Sequence, residues 1–268
     1  MTGDPRSWLF TPGDRPERFA KAVTSGTEAV ILDLEDAVAP DAKAGARTTV
    51  AGWLAGGGRA WVRVNDRRSS YWTDDLAAIA GTGAMGIVLP KTETPDAIAE
   101  TTARAGGAHV VALIETARGI ENADAVARAS GTHALALGSA DLRLDAGLGD
   151  DPLAWAYPRS RLVFASRAAL LRAPLDGPDM QLDDPQITQA QSKQARASGF
   201  GGKLCIHPKQ VKPVNEAFAY DNDQVAWAHA VLSAAENSDG AAVRVGSEMI
   251  DRPRLDLARR IVSAVRKG

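Results

Sequence analysis

Two apolar runs, HVVALI (109–114) and HALALG (133–138), flank TARGIENADAVARAS (116–130), and this stretch decides the fold. The outer runs have the length and apolarity of buried strands. The middle carries helical spacing. Together they read as strand, helix, strand, the βαβ unit of a parallel sheet. Each run ends on a carboxylate: Glu115 directly after the first, Asp141 three residues past the second. Parallel α/β folds gather their chemistry at the carboxyl ends of the strands. Two acids on neighbouring strand ends suit a hard cation such as Mg²⁺, which takes one or two carboxylates and keeps positions for water and substrate. The alternative is that Glu115 caps a helix and Asp141 starts a turn.

The same alternation extends in both directions. SWLFT (7–11), AVILDL (29–34), RAWVRV (59–64) and GIVLP (86–90) precede the pair; APLDG (173–177) and GGKLCI (201–206) follow it. Helical stretches separate them, including one capped near Thr94 with Pro95 in its first turn and a long one over 151–172. Eight strands with their helices predict a (β/α)₈ TIM barrel over residues 1–220. The competing architecture is an open doubly wound sheet, which normally uses fewer strands. Residues 221–268 fall outside the repeat and predict a C-terminal helical extension packed on the barrel or on a neighbouring subunit. Its last helix has an apolar stripe at Leu255, Leu257, Ile261, Val262 and Val265.

Gly81-Thr82-Gly83-Ala84-Met85-Gly86 matches GxGxxG, but it follows a helix and precedes a strand. A dinucleotide site requires the reverse order, so these glycines stop a helix and turn the chain. The net charge of −2 carries no long basic run, which argues against nucleic acid or an anionic membrane as partner. No apolar run approaches a membrane span, and MTGDPRSWLF lacks a basic n-region and an apolar h-region. The single Cys205 excludes an internal disulfide framework. A reducing cytoplasm is the expected location.

With the barrel as frame, the strand ends line up Thr11, Glu35, Asp36, Arg63, Asn65, Lys91, Glu115, Asp141, Asp176 and His207. No His/Cys cluster occurs, so metal ligation would be all oxygen, favouring Mg²⁺ or Mn²⁺ over Zn²⁺. Arg63 sits between apolar residues and points inward, where a guanidinium needs an anionic partner. That partner is either substrate or a salt bridge to Glu35 or Asp36. Lys91 also reads as a lysine over a neighbouring acid, and His207 as a histidine satisfied by backbone.

The blocks RSWLFTPGDRPERFAKA (6–22), AVILDLEDAV (29–38), VRVN (62–65), GIVLPK (86–91), ALIETARGI (112–120), GSADLRLDAG (138–147), YPRSRLVFASRAA (157–169), GFGGKLCIHPKQV (199–211) and GSEMIDRP (246–253) cover nearly the whole chain. In them the sequence resembles the citrate lyase beta-subunit-like (CitE-like) branch of the HpcH/HpaI aldolase and CoA-ester lyase superfamily. The resemblance implies a (β/α)₈ barrel, a homotrimer or hexamer, Mg²⁺, and a CoA thioester and α-keto acid as ligands. It implies Glu115 and Asp141 as metal ligands and Arg63 as the grip on the keto-acid carboxylate. Phe10, Arg15 and Lys21 match positions lining a coenzyme A channel. Asp251, in Met249-Ile250-Asp251-Arg252-Pro253, matches an acid that enters the adjacent subunit's site. Arg63, Asp251, Glu35 and Asp36 are the candidate catalytic residues. Many citrate lyase beta subunits read GAEDL where this chain reads Gly138-Ser139-Ala140-Asp141-Leu142, so an acid beside the metal aspartate is missing; this weakens assignment to the citrate lyase complex itself. The implied activity is cleavage of a β-hydroxyacyl-CoA of citramalyl, malyl or citryl type to acetyl-CoA and an α-keto acid, or the reverse condensation. The competing functions are a metal-dependent aldolase acting without CoA and a non-catalytic assembly subunit.

Overall fold

Side chains alternate across a strand, so each apolar run presents one row inward and one outward. In the computed structural model, which describes residues 6–236, 243–245 and 248–265, that alternation closes a barrel. Its strands are β1 (Ser7–Pro12), β2 (Ala29–Asp33), β3 (Trp61–Arg63), β4 (Gly86–Leu89), β5 (Val110–Ile114), β6 (Thr132–Leu137), β7 (Leu175–Asp176) and β8 (Gly202–Cys205). Every neighbouring pair is parallel, and β8 returns to β1. Trp8, Ile31, Trp61, Val88, Leu113, Ala136 and Leu204 belong to the row that fills the interior. Leu9, Leu32, Val62, Leu89, Ile114 and Leu137 belong to the row packed under the helices. Burying each such aliphatic side chain contributes about 1.5–3 kcal/mol.

The interior row continues past its last apolar layer. Two residues beyond Trp8, Ile31, Trp61 and Leu113 stand Phe10, Asp33, Arg63 and Glu115. Strand period therefore delivers these four side chains to the carboxyl-terminal mouth.

Two helical expectations change. Helix Ala156–Ala168 is shorter than the expected 151–172, and a separate helix, Ser139–Ala146, follows β6 directly. Asp141 is thus in the first turn of a helix. Thr94 caps the helix Pro95–Arg104 as expected, accepting from the Ala97 N–H. The GxGxxG stretch lies between helix Trp72–Ile79 and β4; a Cβ on Gly86 would fall 2.3 Å from the Trp61 ring, which is why glycine stands there.

The chain separates into two compact units between Phe218 and Ala219. In the second, helices Asn222–Glu236 and Arg252–Val265 and the antiparallel strands β9 (Val243–Val245) and β10 (Glu248–Ile250) share a small core of Ala228, Val231, Ile250, Ala258, Ile261 and Val262. Leu255 joins it partly buried, whereas Leu257 and Val265 are exposed. Gly246 and Ser247 of the GSEMIDRP block lie outside the described residues. No helix among the described residues is long and apolar enough to cross a membrane.

Candidate active site

Glu115 is the first residue past β5, and its neighbour across the sheet is Gly138, the first past β6. Gly138 donates its N–H to Ile114 O at 3.0 Å. A Cβ there would fall 2.3 Å from Glu115 Oε2, so only glycine leaves room for the carboxylate. The cap reading of Glu115 does not hold. Thr116 caps helix Ala117–Glu121 instead, accepting from the Gly119 N–H at 3.0 Å. Glu115 is 2% exposed, and its one hydrogen bond among the described residues comes from the Lys91 N–H to Oε1 at 2.8 Å. Burial pushes its carboxyl up to about 8, with the charges of Glu35 and Asp141 adding to the effect.

Arg63 faces Asp33 across the β2–β3 register. Its Nε and Nη2 donate to the two Asp33 oxygens at 2.7 and 2.6 Å, a bidentate fork. Burial would raise Asp33, but Arg63 and the N–H groups of Glu35 and Ala37 outweigh it and hold its carboxyl below the usual range. Nη1 points elsewhere, 3.0 Å from Glu35 Oε2 and 3.6 Å from Asp36 Oδ2. The Arg63 guanidinium also sits 4.6 Å from the centre of the Phe10 ring. Glu35 is buried, and that burial pushes its carboxyl up to about 7 despite Arg63 and Lys91. Asp36 is exposed.

A cavity of about 340 Å³ brings together Phe10, Asp33, Asp36, Arg63, Glu115 and Asp141, with Leu113, Pro178, Met180 and Leu204 as apolar walls. Phe10, Pro12 and Ile206 also line an adjoining groove of about 390 Å³ that carries Thr11, Arg18, Lys21 and His207. Arg18, not Arg15, supplies the groove's arginine; Arg15 is exposed, with Nε 3.8 Å from Asp14. His207 Nδ1 accepts from the Lys209 N–H, the backbone satisfaction expected of it. A third cavity, of about 430 Å³, shares Ser139, Ala140, Pro178 and Met180, but its cations are committed: Arg143 to Asp150, and Arg159 and Lys203 to Asp176.

Other rim candidates do structural work. Asp176 is fully buried between Lys203 and Arg159. Asn65 donates its side-chain N–H to Asp75 and to Leu34 O. Arg67 and Arg68, on the loop after β3, pair with Glu100 and Asp66. Asp251 belongs to the second unit, where it is exposed and accepts from the Arg254 N–H at 3.1 Å as the cap of the last helix.

The donor set fits a hard cation. Glu115 and Asp141 offer only oxygen, and among the described residues the buried Glu115 carboxyl accepts a single hydrogen bond, from the Lys91 N–H. Among the described residues no group of three or more His, Cys, Asp or Glu could hold a metal.

The family model described as HpcH/HpaI aldolase/citrate lyase matches residues 6–208. A citrate lyase subunit beta-like protein of Mycobacterium tuberculosis is 36% identical over 256 residues, covering 92% of this chain and 90% of its own. An L-malyl-CoA/beta-methylmalyl-CoA lyase of Cereibacter sphaeroides is 31% identical over 284 residues, covering 90% and 88%. The crystal structure of CitE from M. tuberculosis with magnesium, acetoacetate and coenzyme A superposes with a TM-score of 0.86 at 31% identity, covering 98% of this chain and 99% of that one.

Proposed function

The chain belongs to the HpcH/HpaI aldolase/citrate lyase family of carbon–carbon lyases, and from that premise we propose a Mg²⁺-dependent cleavage of a β-hydroxyacyl-CoA to acetyl-CoA and an α-keto acid, or its reverse. The observation that carries the proposal is adjacency. The acidic cavity with Arg63 shares the walls Phe10, Pro12 and Ile206 with a groove bearing Lys21 and Arg18, so one extended ligand would span an acyl site and a cationic arm. Lys21 and Arg18 suit the phosphates of CoA, and the apolar groove wall suits its pantetheine arm. That groove favours a CoA ester over the substrate of an aldolase working without CoA.

In this reading Glu115 and Asp141 would hold Mg²⁺, which would supply positive charge to the β-hydroxyl oxygen as it loses its proton on the way to the keto-acid carbonyl. Arg63, fixed by Asp33, would turn Nη1 from Glu35, 3.0 Å away in this structure, to the keto-acid carboxylate. The β-hydroxyl passes its proton to the Asp36 carboxylate in the cavity wall, the bond between its carbon and the acyl α-carbon breaks, and the electron pair passes to the thioester enolate. Asp251 of a neighbouring subunit donates the proton that turns the enolate into acetyl-CoA, and general acid help of this kind is worth ~10²–10⁴-fold. Delivery across subunits requires an oligomer, a homotrimer or hexamer. Leu144, Leu153 and Phe164, exposed at 85%, 79% and 73%, are apolar surface such an assembly would cover.

Glu115→Gln and Asp141→Asn test the ligand assignment. Each should lose Mg²⁺-dependent turnover of a malyl-, citramalyl- or citryl-CoA panel while keeping the wild-type unfolding transition. Undiminished turnover in both variants would overturn it.

A further inference from the structure

The acidic cavity holds far more negative than positive charge. Four of the side chains that line it are carboxylates, Asp33, Asp36, Glu115 and Asp141, and Arg63 is its one cation among the described residues. Nε and Nη2 of Arg63 are committed to Asp33, so Nη1 alone is left to meet a ligand carboxylate.

The cations around the cavity are held by other acids. Arg67 and Arg68 pair with Glu100 and Asp66 at 2.6 and 3.0 Å. Beyond the shared wall of Ser139, Ala140, Pro178 and Met180, Arg143 pairs with Asp150, and Lys203 and Arg159 close on Asp176. The Lys91 ammonium lies 3.5 Å from Glu35, and Glu115, Asp141 and Asp36, whose charges also act on it, are acids as well. Arg18 and Lys21 line the adjoining groove rather than the cavity. The larger uncharged walls of the cavity include Leu113, Pro178, Met180 and Leu204, all apolar.

This charge balance bears on the acyl group. Malyl, citramalyl and citryl groups each carry one carboxylate on the carbon that bears the β-hydroxyl. They differ in the other substituent of that carbon: a hydrogen, a methyl or a carboxymethyl. The carboxymethyl brings a second anion. One divalent cation and Arg63 do not neutralise four carboxylates, so that anion would lose its water among like charges with no cation to pair with. Burying an unpaired charge is costly, and repulsion of this kind is a route to specificity. Hydrogen and methyl carry no such cost, and apolar walls suit them.

We infer that the acyl site accepts β-hydroxyacyl-CoA esters whose β-carbon carries a single carboxylate and a hydrogen or methyl, and rejects the citryl group, so that the keto acid released is a monocarboxylate. The inference rests on the proposed CoA-ester cleavage. Asp251, the group that mechanism brings from a neighbouring subunit, is itself an acid.

The test uses the full chain with Mg²⁺ and two readouts. In the first, malyl-, citramalyl- and citryl-CoA are compared by kcat/KM, with the released keto acid measured directly. The better of the first two should exceed citryl-CoA by about 100-fold or more, the scale of like-charge rejection at a desolvated site. In the second, calorimetry compares pyruvate, oxaloacetate and the terminal amide of oxaloacetate, which keeps the size of the extra substituent without its charge. Pyruvate and the amide should each bind at least about tenfold more tightly than oxaloacetate. Citryl-CoA cleaved as well as the others, or oxaloacetate bound as tightly as pyruvate, would overturn the inference and leave CoA-ester cleavage standing. So would an amide that binds as weakly as oxaloacetate, which would make the rejection steric. If none of the three esters is cleaved, the lyase reading itself falls, and the calorimetric ranking still decides whether the site takes one carboxylate or two.

Discussion

Mg²⁺ binding should be coupled to the loss of a proton, and the coupling can be worked from Glu115. Burial, with Glu35 and Asp141 behind it, pushes its carboxyl up to about 8. Without a cation, Glu115 is therefore mostly protonated at pH 7. Ionising it one pH unit below its midpoint costs about 1.4 kcal/mol, a factor of about ten in apparent affinity. Affinity should rise about tenfold per pH unit up to pH 8 and level off above it, because the cation must displace the proton. Glu35, pushed up to about 7, steepens the dependence if its charge also responds to the cation. The stability of the metal-free protein should run in the opposite direction. A carboxyl whose folded value is raised binds more protons in the native chain than in the unfolded one between pH 4.5 and about 8. Its contribution is thus fully present below 4.5 and is lost as the pH rises through about 8. Calorimetry in buffers of different ionisation enthalpy counts the protons: about one should be released per Mg²⁺ near pH 7. Affinity that is flat from pH 6 to 8.5 with no proton release would refute the reasoning.

Further expectations rest on single contacts. Arg63→Lys gives up the fork on Asp33; stability should drop about 1–3 kcal/mol in denaturant titrations, and keto-acid affinity should fall with it, whereas unchanged affinity would leave Arg63 as the partner of Asp33 alone. Gly138→Ala places a methyl 2.3 Å from Glu115 Oε2, so calorimetry should show Mg²⁺ affinity reduced by more than tenfold; wild-type affinity would show that Glu115 is not held against that backbone. Asp251→Asn keeps a good helix cap, so the unfolding midpoint should hold while turnover is lost. Mixed with a Glu115→Gln chain, it should regain part of the activity, and failure after verified subunit exchange would return Asp251 to its own subunit or to capping alone.

The barrel was legible because strand period and strand burial coincide. Each apolar run became a strand within a few residues, and the inward row could be counted forward to Arg63 and Glu115. Asp33 is readable by the same count, an acid two residues beyond Ile31, but its place inside the apolar run AVILDL masks it. Helix Ser139–Ala146 escaped because Leu142 is its only buried residue, so it carries no stripe to recognise. Lys203 was hidden in the same way: it faces away from the barrel interior and is buried against Asp176, a pairing that spans two strands and appears in neither one's pattern. Arg15 and Arg18 differ by less than one helical turn, and only the three-dimensional path selects Arg18 for the groove.

The most direct test of the account is the fate of the acyl-CoA carbon skeleton. Incubated with Mg²⁺ and its preferred malyl-, citramalyl- or citryl-CoA, the protein should release acetyl-CoA and an α-keto acid in equal amounts, measured together by mass spectrometry. Free CoA with an intact hydroxy acid would mean that the thioester, not the carbon–carbon bond, is cleaved, and would contradict it.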